Sequence, residues 1–427
     1  MKKLLSGLLT IVMLVGLAGC GKAGGPAGAR TAALPVYPEK IAFEDVEAKQ
    51  ERQINNPVSK ATLSAVNKFS YNTAAPVLAD VKTNGCYSPL SLYYALALAA
   101  TGAGGGTRDE LLALLGTEDA KELSGQCGNL YRLLYTDNEY SRLKIADSLW
   151  LADELGGRKV VFKDGFIKNA RENFFASLFT VDFADKSTGG EMSRWISQNT
   201  NGALAPELKT DAGQIMAILN TVYFHDEWIN RFDTAKTKAD AFHLQNGNSV
   251  SCDFMNRTLG SSDFSRGDGY TRSSLPLKNG RMDFILPDEG VGVDGLLASP
   301  QKMEEIFTQD GDKNGEVVWS VPKFGYDSGF KLKDALERLG VVSAFKDNAD
   351  FSGITANQAF ITDVTQETHV SIDENGVEAA AFTRIDYCGA AMPDGRAEMI
   401  LNRPFIYGIT ASNGTILFIG VCRNPAS

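Results

Sequence analysis

The chain has 427 residues, 44% hydrophobic and 22% charged, with a formal net charge of −10. These proportions describe a folded chain, long enough for one large domain or two ordinary ones. An acidic surface without a basic run argues against nucleic acid and anionic lipid headgroups as partners.

The first twenty residues, MKKLLSGLLTIVMLVGLAGC, join two lysines to an apolar run and a small-residue end. This is the pattern of an export signal, too short and wrongly flanked for a stable membrane span. Its end, Leu17-Ala18-Gly19-Cys20, resembles the lipobox of bacterial lipoproteins. That resemblance implies lipidation of Cys20 and an exported protein held at the cell envelope or cell surface by its acyl group. The following GKAGGPAGARTAALPVYP is rich in Gly, Ala and Pro and suits a flexible tether over residues 21–55. Residues 56–427 show neither an internal repeat nor a Pro/Gly/Ser linker and read as one domain. Six cysteines occur, Cys20, Cys86, Cys127, Cys252, Cys388 and Cys422, with no CxxC pair. Zinc-ribbon and thioredoxin chemistry are therefore disfavoured, and small buried thiols are expected.

In chain order, a helix is predicted from Ser88-Pro89 to about Ala100, stopped by the glycines that follow. Thr107-Arg108-Asp109-Glu110 has the spacing of a capping box at the start of ELLALLG. Strands are predicted at 216–224, 282–287, 317–324 and 368–373 from short β-branched and aromatic runs. Leu332, Leu336 and Leu339 form one helical stripe that ends at Gly340. Near the C-terminus, PFIYGITA and TILFIGVC flank Ser412-Asn413-Gly414, where Asn-Gly supplies the positive torsions of a tight hairpin. Helices dominate early and strands late, so the fold class is α+β.

Several motifs suggest chemistry and fail on their context. Gly290-Val291-Gly292-Val293-Asp294-Gly295 spells GxGxxG, but Pro287-Asp288-Glu289 separate it from the preceding strand, and its acids would face phosphate. Asp310-Gly311-Asp312 opens like a calcium loop, yet Val321 stands where a bidentate glutamate is needed. The three histidines, His225, His243 and His369, sit outside any HExxH, and no GxSxG elbow exists. No catalytic residue, metal site or cofactor is assigned, and an envelope hydrolase would need a nucleophile–histidine pair that is not found.

Six segments in one order then become specific: residues 87–116, 195–204, 217–228, 284–290, 320–354 and 403–425. Together they resemble the serpin family from about residue 60 to the C-terminus. The resemblance implies three β-sheets, about nine helices and an exposed reactive-centre loop offered to a protease. It places a hinge at Glu374, Gly376, Val377, Glu378, Ala379, Ala380 and Ala381. It also implies a sheet-opening cluster of Ser88, Ser91 and Asn220, with Gln366 where the family usually keeps a histidine, and Trp228 at the top of the sheet.

The segment 376–398, GVEAAAFTRIDYCGAAMPDGRAE, can be tested as an inserting strand. One face carries Val377, Ala379, Ala381, Thr383, Ile385 and Tyr387, and no charge. Every charge between 377 and 387 lies on the other face, with Glu378, Ala380, Phe382, Arg384 and Asp386. Counting the family's usual distance from the hinge puts the cleaved bond at Ala390-Ala391; counting back from Pro404 moves it about three residues later. Ala390 or Met392 suits an elastase-like or subtilisin-like pocket, and Tyr387 a chymotrypsin-like one. The reading is a monomeric inhibitor that traps serine proteases covalently by loop insertion. The alternatives are a non-inhibitory serpin with a binding or structural role and an inhibitor of papain-like cysteine proteases.

Overall fold

Alternating and continuous apolar runs assemble a large mixed sheet in the computed structural model, which describes residues 29–308, 313–377 and 395–427. Its strands are β1 (Arg30–Ala33), β2 (Thr136–Asp137), β3 (Ser141–Ala152), β4 (Ser177–Val181), β5 (Met216–Glu227), β6 (Phe324–Lys331), β7 (Ile361–Ile372) and β8 (Gly376–Val377). They lie in the order β1-β4-β3-β5-β8-β7-β6, with β2 beside β3. β5 runs antiparallel to β3 and parallel to β7, so the middle of the sheet is a parallel seam.

A second sheet has nine strands, from Arg396–Ile400 at one end to Gly85–Tyr87 at the other, and a two-stranded ribbon joins Glu154–Leu155 to Arg158–Lys159. The helix Pro89–Gly102 is wedged between the two large sheets. Its residues Leu90 to Ala100 are buried on every side, which its Leu/Ala/Tyr composition allows. On the outer face, Met192, Trp195 and Ile196 of the helix Thr188–Asn199 pack on Ala146, Trp150, Ala217 and Leu219. Among the described residues there are ten α-helical segments, and the α+β expectation holds.

Several local expectations are corrected. From residue 29 on, the stretch read as a tether contains regular structure. Arg30–Ala33 pairs with β4 at the edge of the sheet, and Val46–Asn55 is a helix capped by Asp45. Thr107 and Glu110 do not cap their own helix, which begins at Gly105. Thr107 Oγ1 accepts from Asp350 N at 3.0 Å, and Glu110 accepts from the backbone of Val342 and Ser343, both at 2.7 Å. The run 317–324 is two strands, because Lys313–Pro322 belongs to the second sheet and β6 to the first; the chain changes sheet at Lys323. The last hairpin turns through the expected Ser412-Asn413-Gly414, but only Gly414 has positive φ, at 84°. Gly290–Gly295 forms a turn and the start of a four-residue helix, and the Asp294 carboxylate meets Arg423 at 2.7 Å.

Candidate functional site: the central seam and its hinge

The hinge is built where β7 ends. Asp373 Oδ1 accepts from Asn375 N at 2.7 Å and Gly376 N at 3.3 Å, which turns the chain back on itself. The turn is tied to Trp228: its indole Nε1 donates to Asp373 O at 2.9 Å and its backbone N to Asn375 O at 3.0 Å. Glu374 is anchored by Lys323, 3.0 Å away, and by the Thr237 hydroxyl at 2.8 Å. Burial alone would raise its pKa, but those bonds hold it below the ordinary value.

Beyond the turn, β8 enters the sheet. Gly376 lies opposite Glu227, and Val377 lies opposite both Asp226 on β5 and Ile372 on β7. A Cβ at Gly376 would stand 2.2 Å from Asp226 O, so the approach of the two backbones demands glycine. Val377 is 2% exposed and packs in the core.

Below β8 the seam is closed, with Asn220 opposite Gln366 and Val222 opposite Thr368. Four residues further along each strand lie Asp226 and Ile372, the two partners of Val377. The closed and the occupied parts of the seam therefore share one register. A strand extending from Val377 would need β5 and β7 to separate sideways, without sliding.

The structure brings Ser88, Ser91, Asn220 and Gln366 together beneath this seam. The Gln366 amide accepts from Ser88 N and donates to Ser88 O, both at 2.8 Å, and donates to Asn220 Oδ1 at 3.0 Å. Asn220 also accepts from the Ser91 hydroxyl and donates to Ser91 O at 2.6 Å. Ser88 Oγ donates to Leu417 O at 2.8 Å, which links the cluster to the second sheet. Trp228 lies apart from this group, at the hinge.

Asp147 is a member that sequence reasoning missed. It is 1% exposed, opposite Asn220 on β3, and accepts from the Asn220 amide; among the described residues its other oxygen has no partner. Burial pushes its pKa up to about 8. The signal was present in SRLKIADSLWLA, where Asp147 occupies the inward face with Leu143, Ile145, Leu149 and Leu151. Asp226 is likewise raised to about 6 by burial, against donors from Ser141, Asn279 and Glu227. On the outer face Glu367 is raised to about 7, by burial and then by Asp327, whose carboxylate also bonds His369.

Glu378, Ala379, Ala380, Ala381, the bond candidates Ala390 and Ala391, their alternatives Met392 and Tyr387, and Cys20 and Cys388 lie outside the described residues. The remaining cysteines are free thiols, and Cys86, Cys127 and Cys422 are buried.

A family model described as serpin (serine protease inhibitor) matches residues 64–425. Barley (Hordeum vulgare) Serpin-Z7 is 29% identical over 395 residues, covering 86% of this chain and 97% of the relative. The native-state structure of tengpin, a thermophilic serpin, aligns at 27% identity with a TM-score of 0.75, covering 93% of this chain and all of tengpin. Serpin48 of the insect Tenebrio molitor aligns at 26% identity with a TM-score of 0.76, over 86% of this chain and 98% of that one. The chain belongs to the serpin family.

Proposed function

We propose that this serpin is an irreversible inhibitor of serine proteases that works by inserting its reactive-centre loop between β5 and β7. The observation that carries the reading is the position of Val377, paired with both strands in the register that the closed seam already keeps. Extended from Val377, that register would put Thr383 in the row of Asn220 and Gln366, and Ala379 and Ala381 on the apolar inward face. Phe382 and Arg384 would face outward, and no Pro interrupts 377–387.

The chemistry belongs to the protease. Its serine oxygen attacks the loop carbonyl, the peptide bond breaks, the new amine leaves with a proton, and an acyl ester joins the two proteins. Insertion of about 15 residues at roughly 3.3 Å each would drag that ester some 50 Å. The protease would arrive pressed against the far end of the sheet, with its oxyanion hole distorted and deacylation stopped. The inserted strand gains hydrogen bonds along both edges, which makes the step effectively irreversible.

A bond at Ala390-Ala391 suits elastase-like or subtilisin-like proteases, and lipidation at Cys20 would hold the inhibitor at the bacterial envelope as a monomer. The test is incubation of the full chain with pancreatic elastase and with subtilisin, followed by boiling in SDS. A complex that survives, and a cleaved form that melts well above the intact one, are expected. Cleavage without either would leave a non-inhibitory serpin.

A further inference from the structure

A cavity of about 380 Å³ opens beside the upper end of β5, between the helix Val46–Asn55, the start of β3 and the last hairpin of the second sheet. Its volume is within the roughly 300–1,000 Å³ of small-molecule sites. Ile41, Leu134, Leu143, Phe224 and Leu417 supply apolar lining, and Lys49, Arg52 and Arg142 supply three cations. The other titratable lining groups are Asp226, His225 and Tyr135, whose phenol pKa is raised by burial. Asp226 is satisfied by three donors, and burial, then Arg142, lowers the His225 pKa, so the imidazole is neutral at pH 7. In a chain of net charge −10, a pocket with three cations and one carboxylate stands apart.

The bonding of these cations sharpens the point. Arg142 is paired with Asp137 at 3.3 Å. Among the described residues Arg52 and Lys49 make no ion pair. Arg52 donates to the backbone carbonyls of Tyr135 and Glu39, and Lys49 to Phe43 O at 2.6 Å. Burial, the largest influence on Arg52, lowers its pKa. A guanidinium partly withdrawn from water and held by neutral acceptors gains more from a carboxylate than it loses in leaving a carbonyl.

We propose that this cavity binds a small amphiphilic carboxylate, with its anionic head on Arg52 and Lys49 and its hydrocarbon tail against Phe224, Leu143 and Leu417. The site needs no target protease, and it adjoins the hinge through Asp226, which both lines the cavity and pairs with Val377.

The test is calorimetric titration of the full chain with sodium octanoate and, separately, with octan-1-ol, which has the same tail without the charge. Octanoate is expected to bind about tenfold or more tightly than the alcohol, the margin of a charge-assisted bond. Arg52→Gln should remove that preference and leave both ligands at the alcohol's affinity. Lys49→Gln serves the same purpose should the first variant loosen the N-terminal helix. Equal affinity for acid and alcohol, failure of both to bind, or a preference that survives both substitutions would overturn the proposal.

Discussion

Gln366 and Asn220 face each other twice, once as paired backbones across the β5–β7 seam and once through their side-chain amides, 3.0 Å apart. The same Gln366 amide closes two further bonds on the backbone of Ser88, at the head of a fully buried helix. The seam is thus held by its backbone ladder and by a clamp to the layer beneath. A glutamine serves here without ionising, so the clamp itself carries no pH dependence.

Gln366→Ala removes three bonds and strands the buried N–H of Ser88, whereas Ser88 O keeps the bond from Leu92 N at 3.3 Å. The orphaned donor costs on the order of 1–3 kcal/mol. Intact protein should lose stability, and mild heating should convert more of it to a form that no longer inhibits. Thermal unfolding together with residual inhibition after a timed incubation measures both; unchanged behaviour would mean that the clamp does not restrain the seam.

Asp147 supplies the pH dependence that Gln366 lacks. Its folded pKa is about 8 against an ordinary value of 3.8, so the native state holds a proton that the unfolded chain has lost between those values. Stability should be full below about pH 4, fall as pH rises through the window, and level off above about 8. Neighbouring Cys127 and Tyr94 are pushed much higher by burial and do not titrate there. Asp147→Asn keeps an acceptor for Asn220 without the charge. It should stabilise the protein by on the order of a few kcal/mol at pH 8, and by little at pH 4. Unfolding midpoints at the two pH values test this; equal effects would mean that Asp147 is not the titrating group.

Much of this arrangement was legible in the sequence, because hinge and cluster are carried by short contiguous segments. Gly376-Val377 alternates with its successors, and Ser88-Pro89 marks the helix start that presents the Ser88 backbone to Gln366. What escaped depended on contacts between distant segments. Glu110 looked like a local cap because its spacing from Thr107 fits one, but in the fold its carboxylate accepts from the backbone N–H groups of Val342 and Ser343, far away in sequence. Lys323 reads as an interior strand residue in VVWSVPKF, yet it is where the chain changes sheet and reaches Glu374. Residues 30–33 carry tether composition and still pair, because β4 has a free edge and Arg30 meets Asp153.

Gly376→Ala tests the close approach of hinge and β5. The added methyl would lie 2.2 Å from a backbone oxygen that has no flexible route away. The hinge must withdraw from the seam, in the intact protein and after insertion alike. A several-fold rise in the inhibitor molecules consumed per protease inactivated is expected, with a lower melting temperature for the cleaved form. Titrating a fixed amount of elastase gives the first quantity directly.

Val377→Glu separates cleavage from trapping. Val377 is 2% exposed between Asp226 and Ile372, and a carboxylate there would be buried beside the raised-pKa Asp226. Burying such a charge unpaired costs several kcal/mol, and a neighbouring carboxylate adds to it. The proposed bond Ala390-Ala391 lies well beyond Val377 in the sequence, so the initial cleavage rate should stay close to that of the parent protein. Insertion should stall at its first step, turning the variant into a substrate that yields free protease, no SDS-stable complex and no gain in melting temperature. Val377→Thr, which keeps the branched shape and adds only a hydroxyl, should retain inhibition. If the glutamate variant trapped protease as well as its parent does, the first residue of the seam would not control entry.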